Sequence, residues 1–399
     1  MRIAWRVMPR STADIALRAR ERGRLGIDTE FMGEGRYQPL LCLVQIALDA
    51  DDDSGEAEVI VLDPLTEEFD PAPLAEVLAD PEIEVVLHAA RQDVALLRRD
   101  WGAPLRNVFD TQVAAGFAGM RAQLGYEPLL KETLGVRLRK SASFTRWDDR
   151  PLTREQLGYA REDVLHLLAL SSALQDRLRD LGRLEWAREE CRFFEDIDDR
   201  RDLDTVFAKL PRVNSLEPAQ RAVARELVEW REAAAQQGDR PVSSVLHDAA
   251  LVEIAKRRPQ NVERLRQIRG LNDATLHRRG KAIVEAVARG REREPIAVEG
   301  VRPSSPDADD APLIALGEAL IRTRAMEAEL AYELLAARAD LQRIVTAVRE
   351  GDGEAPVRTL QGWRREVVGA ELLELFDGRR ALRVGLDRRI EVTGSDPAA

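Results

Sequence analysis

The sequence predicts an α/β domain built on a mixed sheet, followed by all-helical modules. Three observations carry that prediction. Three strand-like apolar runs follow one another between residues 24 and 64, and helical and strand periods then alternate to about residue 111. From about residue 214 onward the periodicity is purely helical. A stretch rich in Pro, Ser and acids at 291–312 divides that helical part in two.

Taken in order, TADIALRARER (12–22) has the period of a short helix, and Gly23 ends it before a strand at 24–31. LCLVQIAL (41–48) and EVIVLDP (58–64) are the next strands. PLAEVLAD (73–80) reads as a helix, IEVVLH (83–88) as a fourth strand, ARQDVALLRRDW (90–101) as a helix and RNVFDT (106–111) as a fifth strand. In GYEPLLKETLG, Pro128 sits where a first helical turn tolerates it, and Gly135 is a stop. After the loop 136–151, Thr153 and Gln156 have capping-box spacing, which predicts one long helix to about residue 180.

Composition narrows the function classes. With 44% hydrophobic and 33% charged residues in 399, the chain is long enough for two or three ordinary domains. The net charge of −11 provides no global basic field, so a nucleic-acid partner would be met by a local patch or through metal ions. Cys42 and Cys191 are too few for a disulfide framework and lack metal-ligand spacing. MRIAWRVMPR has no apolar core of signal-peptide length, and no run approaches the ~20 residues of a membrane span. A soluble, cytoplasmic, monomeric protein is expected.

Five residues in three stretches stand out. Asp28 and Glu30 are two apart on a strand and so share a face. Flanked by Leu25, Ile27 and Phe31, they repel each other and lose hydration unless a cation lies between them or one is protonated. Asp93 opens the helix after the fourth strand, at the sheet's carboxyl end where ligands gather. Tyr159 and Asp163 are four apart on a helix, one above the other. Each feature has a plain alternative: a solvated strand end, a helix-dipole Asp, a boundary hydrogen bond. Together they propose a site for two divalent ions, Mg²⁺ or Mn²⁺, since such hard ions take carboxylate oxygens. Such a pair activates a water and stabilises a leaving oxygen, with Tyr159 orienting the water. His88 and His166 read as structural.

DTEF at 28–31, HAARQD at 88–93 and YAREDV at 159–164 resemble, in order and spacing, the three exonuclease motifs of the ribonuclease D family, DEDD exonucleases of the tyrosine subclass. QPLLCLVQIA, VLDPL, FDT and W-x-x-RPLT extend the resemblance over roughly residues 24–180. It implies an RNase H-like five-stranded sheet whose second strand is antiparallel to the rest. It also implies two metals held by Asp28, Glu30, Asp93 and Asp163, with Asp28 bridging, Asp93 acting partly through water and Asp110 structural.

The loop 136–151 interleaves Arg137, Arg139, Lys140 and Arg146 with Phe144 and Trp147, a composition suited either to a single strand or to a solvated loop around one buried Trp. Between residues 256 and 281 nine Lys or Arg face only Glu263 and Asp273, and Arg278, Arg279 and Lys281 cluster there. VEWREAAA, DRPVSSVLHDAALVEIAKRRP and LRQIRGL resemble the HRDC domain, whose members bind nucleic acid or a neighbouring domain. IVTAVREG and LQGWRREVVGAELLELF echo that module, as a degenerate second copy would.

The expected organisation is an exonuclease domain over 1–204, an HRDC domain over 214–292, a linker over 293–312 and an HRDC-like helical domain over 313–392. The expected activity is metal-dependent 3′→5′ hydrolysis of RNA with a free 3′ end, tRNA precursors included, releasing 5′-nucleoside monophosphates. The same chemistry on DNA ends, or a non-catalytic RNA-binding adaptor, are the alternatives.

Overall fold

The computed structural model describes residues 11–50, 56–138, 146–298, 310–351 and 353–394. Arg139, Lys140 and Phe144 lie outside the described residues.

Helix α1 (Thr12–Arg22) begins where Ser11 accepts the Asp14 amide at 3.2 Å. It ends on Gly23 at φ 69°, a left-handed turn in which a Cβ would be strained. Then follow β1 (Arg24–Met32), β2 (Leu40–Leu48), β3 (Glu58–Leu62), α2 (Ala72–Leu78), β4 (Glu84–Leu87), α3 (Arg91–Trp101) and β5 (Val108–Asp110). These strands form a five-stranded sheet in the order β3-β2-β1-β4-β5. Strand β2 is antiparallel to both β1 and β3, while β1, β4 and β5 run parallel. The run LLCLVQIAL is buried almost throughout because helices cover both faces.

Alternation along β1 decides which side chain meets which layer. Leu25 and Ile27 join Ile15, Leu74 and Val94 under α1–α3. The opposite face carries Gly26, Asp28 and Glu30. A Cβ at Gly26 would come within 3.3 Å of Leu167, so glycine lets the second helical layer close onto the strand.

That second layer begins with α4 (Thr111–Phe117) and α5 (Tyr126–Leu134). The capping box is present: Thr153 Oγ1 accepts the Gln156 amide at 3.1 Å, and Gln156 Oε1 accepts the Thr153 amide at 2.9 Å. The single helix expected beyond it is two helices, α6 (Arg154–Leu165) and α7 (Leu167–Asp180). His166 leaves the helical basin at φ −106°, ψ 4° and redirects the chain with no Pro or Gly to mark the break. Helix α6 packs on β1–β3, and α7 packs on α4 and α5. Helix α8 (Leu184–Glu195) closes this part.

A separate bundle follows: α9 (Leu203–Ala208), α10 (Pro218–Gln237), α11 (Val242–Val245), α12 (Asp248–Arg257), α13 (Val262–Leu265) and α14 (Asp273–Glu292). Leu227, Leu246, Leu251, Ile254, Leu265, Ile268 and Ile283 form its core, with Trp230 and Leu271 packed against it. The bundle meets the sheet domain through polar contacts. Tyr37 donates to Glu232 at 3.0 Å, Arg36 pairs with Asp239 at 2.8 Å and Arg201 with Glu232 at 2.7 Å.

The last module is helical over most of its length. It comprises α15 (Asp310–Glu327), α16 (Tyr332–Leu335), α17 (Arg338–Glu350) and a 3₁₀ turn (Arg358–Leu360). Next come α18 (Gly362–Arg364), a π turn (Arg365–Gly369) and α19 (Ala370–Phe376). Its core is continuous with that of α4, α5, α7 and α8. Trp363 stacks on Trp186 at 5.3 Å and meets the edge of Phe117 at 5.0 Å. Past α19, helix gives way to an antiparallel hairpin of β6 (Arg380–Val384) and β7 (Ile390–Gly394). This corrects the helical expectation, since ALRV and IEVT carry β-branched residues at strand spacing around a GLDRR turn.

Candidate metal-dependent active site

Asp28 and Glu30 project from β1 toward α6, which carries Tyr159 and Asp163. Asp28, Glu30 and Asp163 each offer a carboxylate oxygen, and these oxygens lie within 4.8 Å of one another. No Lys, Arg or His forms an ion pair with any of the three among the described residues.

Asp93 arrives from the other layer. It is buried in the first turn of α3, where the Thr29 hydroxyl donates to Oδ1. Thr29 lies between the two strand acids, so its side chain points away from them and toward α3. Asp93 is not one of the three converging carboxylates, but its charge acts on Asp28 and Glu30. A register shift in the β1–β2 pairing between Glu30 and Phe31 bends the strand beside the site.

Electrostatics confirm the crowding. Burial, then the charges of Asp93, Asp163 and Glu30, hold the Asp28 carboxyl well above its usual range. Burial, then Asp163 and Asp93, push Glu30 up to about 8. Burial is also the leading cause that raises Asp93 to about 7, against the opposing Thr29 hydrogen bond, and Asp163 to about 7. Tyr159 is pushed upward by burial and by Asp163, Glu30 and Asp28, so its phenol keeps its proton. Four acids without a cationic side chain among them match the donor set of a hard divalent ion.

The supports of the site come from the flanking motifs. Asp110 is fully buried and accepts the amides of Gln112 at 2.7 Å, Val113 at 3.1 Å, Ala90 at 2.7 Å and Ala89 at 3.3 Å. It therefore caps α4 and fixes the turn that launches α3 and Asp93, a structural role. The Thr111 hydroxyl lies 3.0 Å from Leu87 O and 2.9 Å from His88 Nδ1, so it ties the end of β4 to the His88 ring. Arg150 joins two motifs by donating to Asp63 Oδ1 at 2.7 Å and to Cys42 O at 2.9 Å.

One expected nucleic-acid contact needs correction, and a second also serves the bundle's own packing. Trp147 is only 3% exposed and packs beneath Tyr159 at 6.0 Å between ring centroids, so its ring is a floor for the phenol and not a platform for a base. Arg279 donates to the carbonyls of Ser244 at 2.9 Å and Val245 at 3.2 Å, which ties α14 to the end of α11. Arg278 and Lys281 are exposed on α14. Thr29 escaped notice in the sequence, although strand alternation alone turns it toward α3.

A 3′–5′ exonuclease family model matches residues 9–179, and an HRDC domain model matches residues 220–287. The ribonuclease D of Gluconacetobacter diazotrophicus is 37% identical over 377 residues, covering 92% of this chain and 91% of its own. That of Granulibacter bethesdensis is 36% identical over 375 residues, with the same coverage. The crystal structure of Escherichia coli RNase D, an exoribonuclease involved in structured RNA processing, superposes with a TM-score of 0.77 at 25% identity. That match covers 92% of this chain and 96% of the other. No helix among the described residues is long and apolar enough to cross a membrane.

Proposed function

This chain belongs to the ribonuclease D family and is a 3′–5′ exoribonuclease, and on that premise we propose that it trims structured RNA precursors, tRNA among them, with two divalent metal ions. The single observation that carries the metal reading is the approach of Asp28, Glu30 and Asp163 within 4.8 Å with no cationic side chain paired to them.

In this reading Asp28, Glu30, Asp163 and Asp93 hold the ions, Mg²⁺ or Mn²⁺. Bound there, they supply a nucleophilic water at neutral pH and stabilise the departing 3′ oxygen. Tyr159 keeps its proton beside three acids and orients the attacking water through its phenol oxygen. The oxygen of that water bonds to the terminal phosphorus and the P–O3′ bond breaks. A 5′-nucleoside monophosphate leaves, and a proton returns to the new 3′-hydroxyl of the shortened strand.

The bundle matched by the HRDC model stands beside the mouth, because Tyr37 and Arg36 of the loop after β1 hold Glu232 and Asp239. Arg278 and Lys281 then offer cations to phosphates farther along the strand. The C-terminal module is read as a second, degenerate HRDC-like copy, supported by its matching order of long and one-turn helices.

The test is side-by-side digestion of matched RNA and DNA oligonucleotides and a 3′-extended tRNA. Stepwise release of mononucleotides from the RNAs supports the reading. Faster digestion of DNA, or internal cuts, would overturn it.

A further inference from the structure

We infer that Gln45 is a positioning residue for the metal site, its side-chain amide donating an N–H to the Asp28 carboxylate when divalent ions are bound. The inference rests on the metal-dependent exoribonuclease reading and adds to it a group outside the four acids and Tyr159. Gln45 is the single residue of β2 with a side-chain nitrogen or oxygen, in the run LLCLVQIAL. It is fully buried, yet among the described residues neither its Nε2 nor its Oε1 has a hydrogen-bond partner. A buried primary amide with both its donors and its acceptor unmet is costly, and packed interiors hold few of them.

The strand register shows which group this amide serves. Across β1 and β2, Asp28 stands opposite Gln45, and two positions earlier Gly26 stands opposite Ala47. A Cβ on Gly26 would lie 3.3 Å from the Ala47 Cβ, so opposed residues of this pair rise from one face. Gln45 therefore shares the acid-bearing face of β1 with Asp28 and Glu30. Side chains directly opposite on one face start about 5 Å apart at Cβ, a gap that the glutamine stem spans. The other sheet neighbours of Gln45 are apolar: Val61 opposite it on β3, and Leu43 and Ala47 along β2. Leu43 clusters with Ala160, and Ala47 with Val164 and Leu167, so α6 roofs the amide from above.

The chemistry of the pair explains a glutamine in an otherwise apolar strand. A carboxylate that holds ions keeps its charge and has lone pairs to spare, and an N–H aimed at it restricts its orientation. Lys or Arg in this place would do the same but would repel the ions. The neutral amide orients the acid and leaves the negative charge of the site intact. An acid oriented in advance loses less freedom when ions arrive, which raises their affinity.

The test titrates Mn²⁺ calorimetrically into the ion-free full chain for wild type, Gln45→Met and Gln45→Leu, and records each Tm without ions. Both replacements fill the space of the glutamine and cannot donate. The ion-free Tm should stay level or rise, because an unmet amide leaves the interior. The Kd for Mn²⁺ should rise by about 10- to 100-fold. Trimming should then need correspondingly more Mg²⁺, with the KM for RNA unchanged. One variant that holds its Tm and loses affinity supports the inference. A wild-type Kd in both variants would overturn it and leave the metal reading standing. A lower ion-free Tm in both would make Gln45 a packing residue and also overturn it. A wild type that takes up no Mn²⁺ would instead refute the metal reading itself.

Discussion

Thr29 donates its hydroxyl hydrogen to Asp93, so a residue of the central strand holds an acid that belongs to the opposite helical layer. The strand thus points acids at one layer and a positioning hydroxyl at the other. Thr29→Val keeps the shape and removes the donor. Loss of such a supporting bond lowers activity or metal affinity by about 10- to 100-fold, and Thr29→Ser should restore most of it. Steady-state kinetics with Mg²⁺ titration checks this. Wild-type values for Thr29→Val would mean that α3 alone places Asp93.

Tyr159 sits on Trp147 and close to Asp163, Glu30 and Asp28. Tyr159→Phe keeps the ring on its floor and deletes only the hydroxyl. We expect kcat to fall by roughly two orders of magnitude with little change in RNA binding. Equal losses in kcat and affinity would assign Tyr159 a packing role.

The acids also give the ion-free protein a pH signature. Glu30 is held up to about 8 against a usual 4.5, and Asp93 and Asp163 to about 7 against 3.8. Because the folded state binds these protons more tightly than the unfolded chain, their stabilisation is complete below the unfolded values. It is lost as pH rises through about 7 to 8. Divalent ions compete with the same protons. The gain in Tm on adding Mg²⁺ or Mn²⁺ should therefore be larger near about pH 8 than near about pH 6. A gain independent of pH would mean that the ions bind elsewhere.

Trp363 of the C-terminal module stacks on Trp186 and abuts Phe117, so the exonuclease core extends into that module. Trp363→Ala should cost about 3–5 kcal/mol and destabilise the exonuclease fold itself. Trp230→Ala, in the separate bundle, should spare it. Urea unfolding followed by residual activity separates the two, and a bundle-only effect from Trp363→Ala would contradict the shared core.

The sheet and its acids were legible because short-range rules decide them. Alternation in LGIDTEF sets one face for Asp28 and Glu30, and the Thr153–Gln156 spacing sets where α6 begins. What escaped depends on tertiary packing. The break at His166 has no Pro or Gly to announce it, and both flanking helices share one period. Trp147 resembled an exposed stacking residue because it lies among cations, yet Arg150 pins its loop against Asp63 and Cys42 and drives the ring inward. The strands of the 380–394 hairpin carried a readable alternation that the preceding helices masked.

The central claim is that these carboxylates serve divalent ions, and one measurement addresses it directly. A 3′-extended tRNA is digested over time by wild type and by Asp28→Asn, with Mg²⁺, with Mn²⁺ and with chelator. Wild type should trim nucleotide by nucleotide with either ion and stop in chelator. Asp28→Asn should lose at least about a thousandfold while its circular dichroism and melting remain those of a folded protein. Trimming that persists in chelator, or an Asp28→Asn enzyme as fast as wild type, would contradict it.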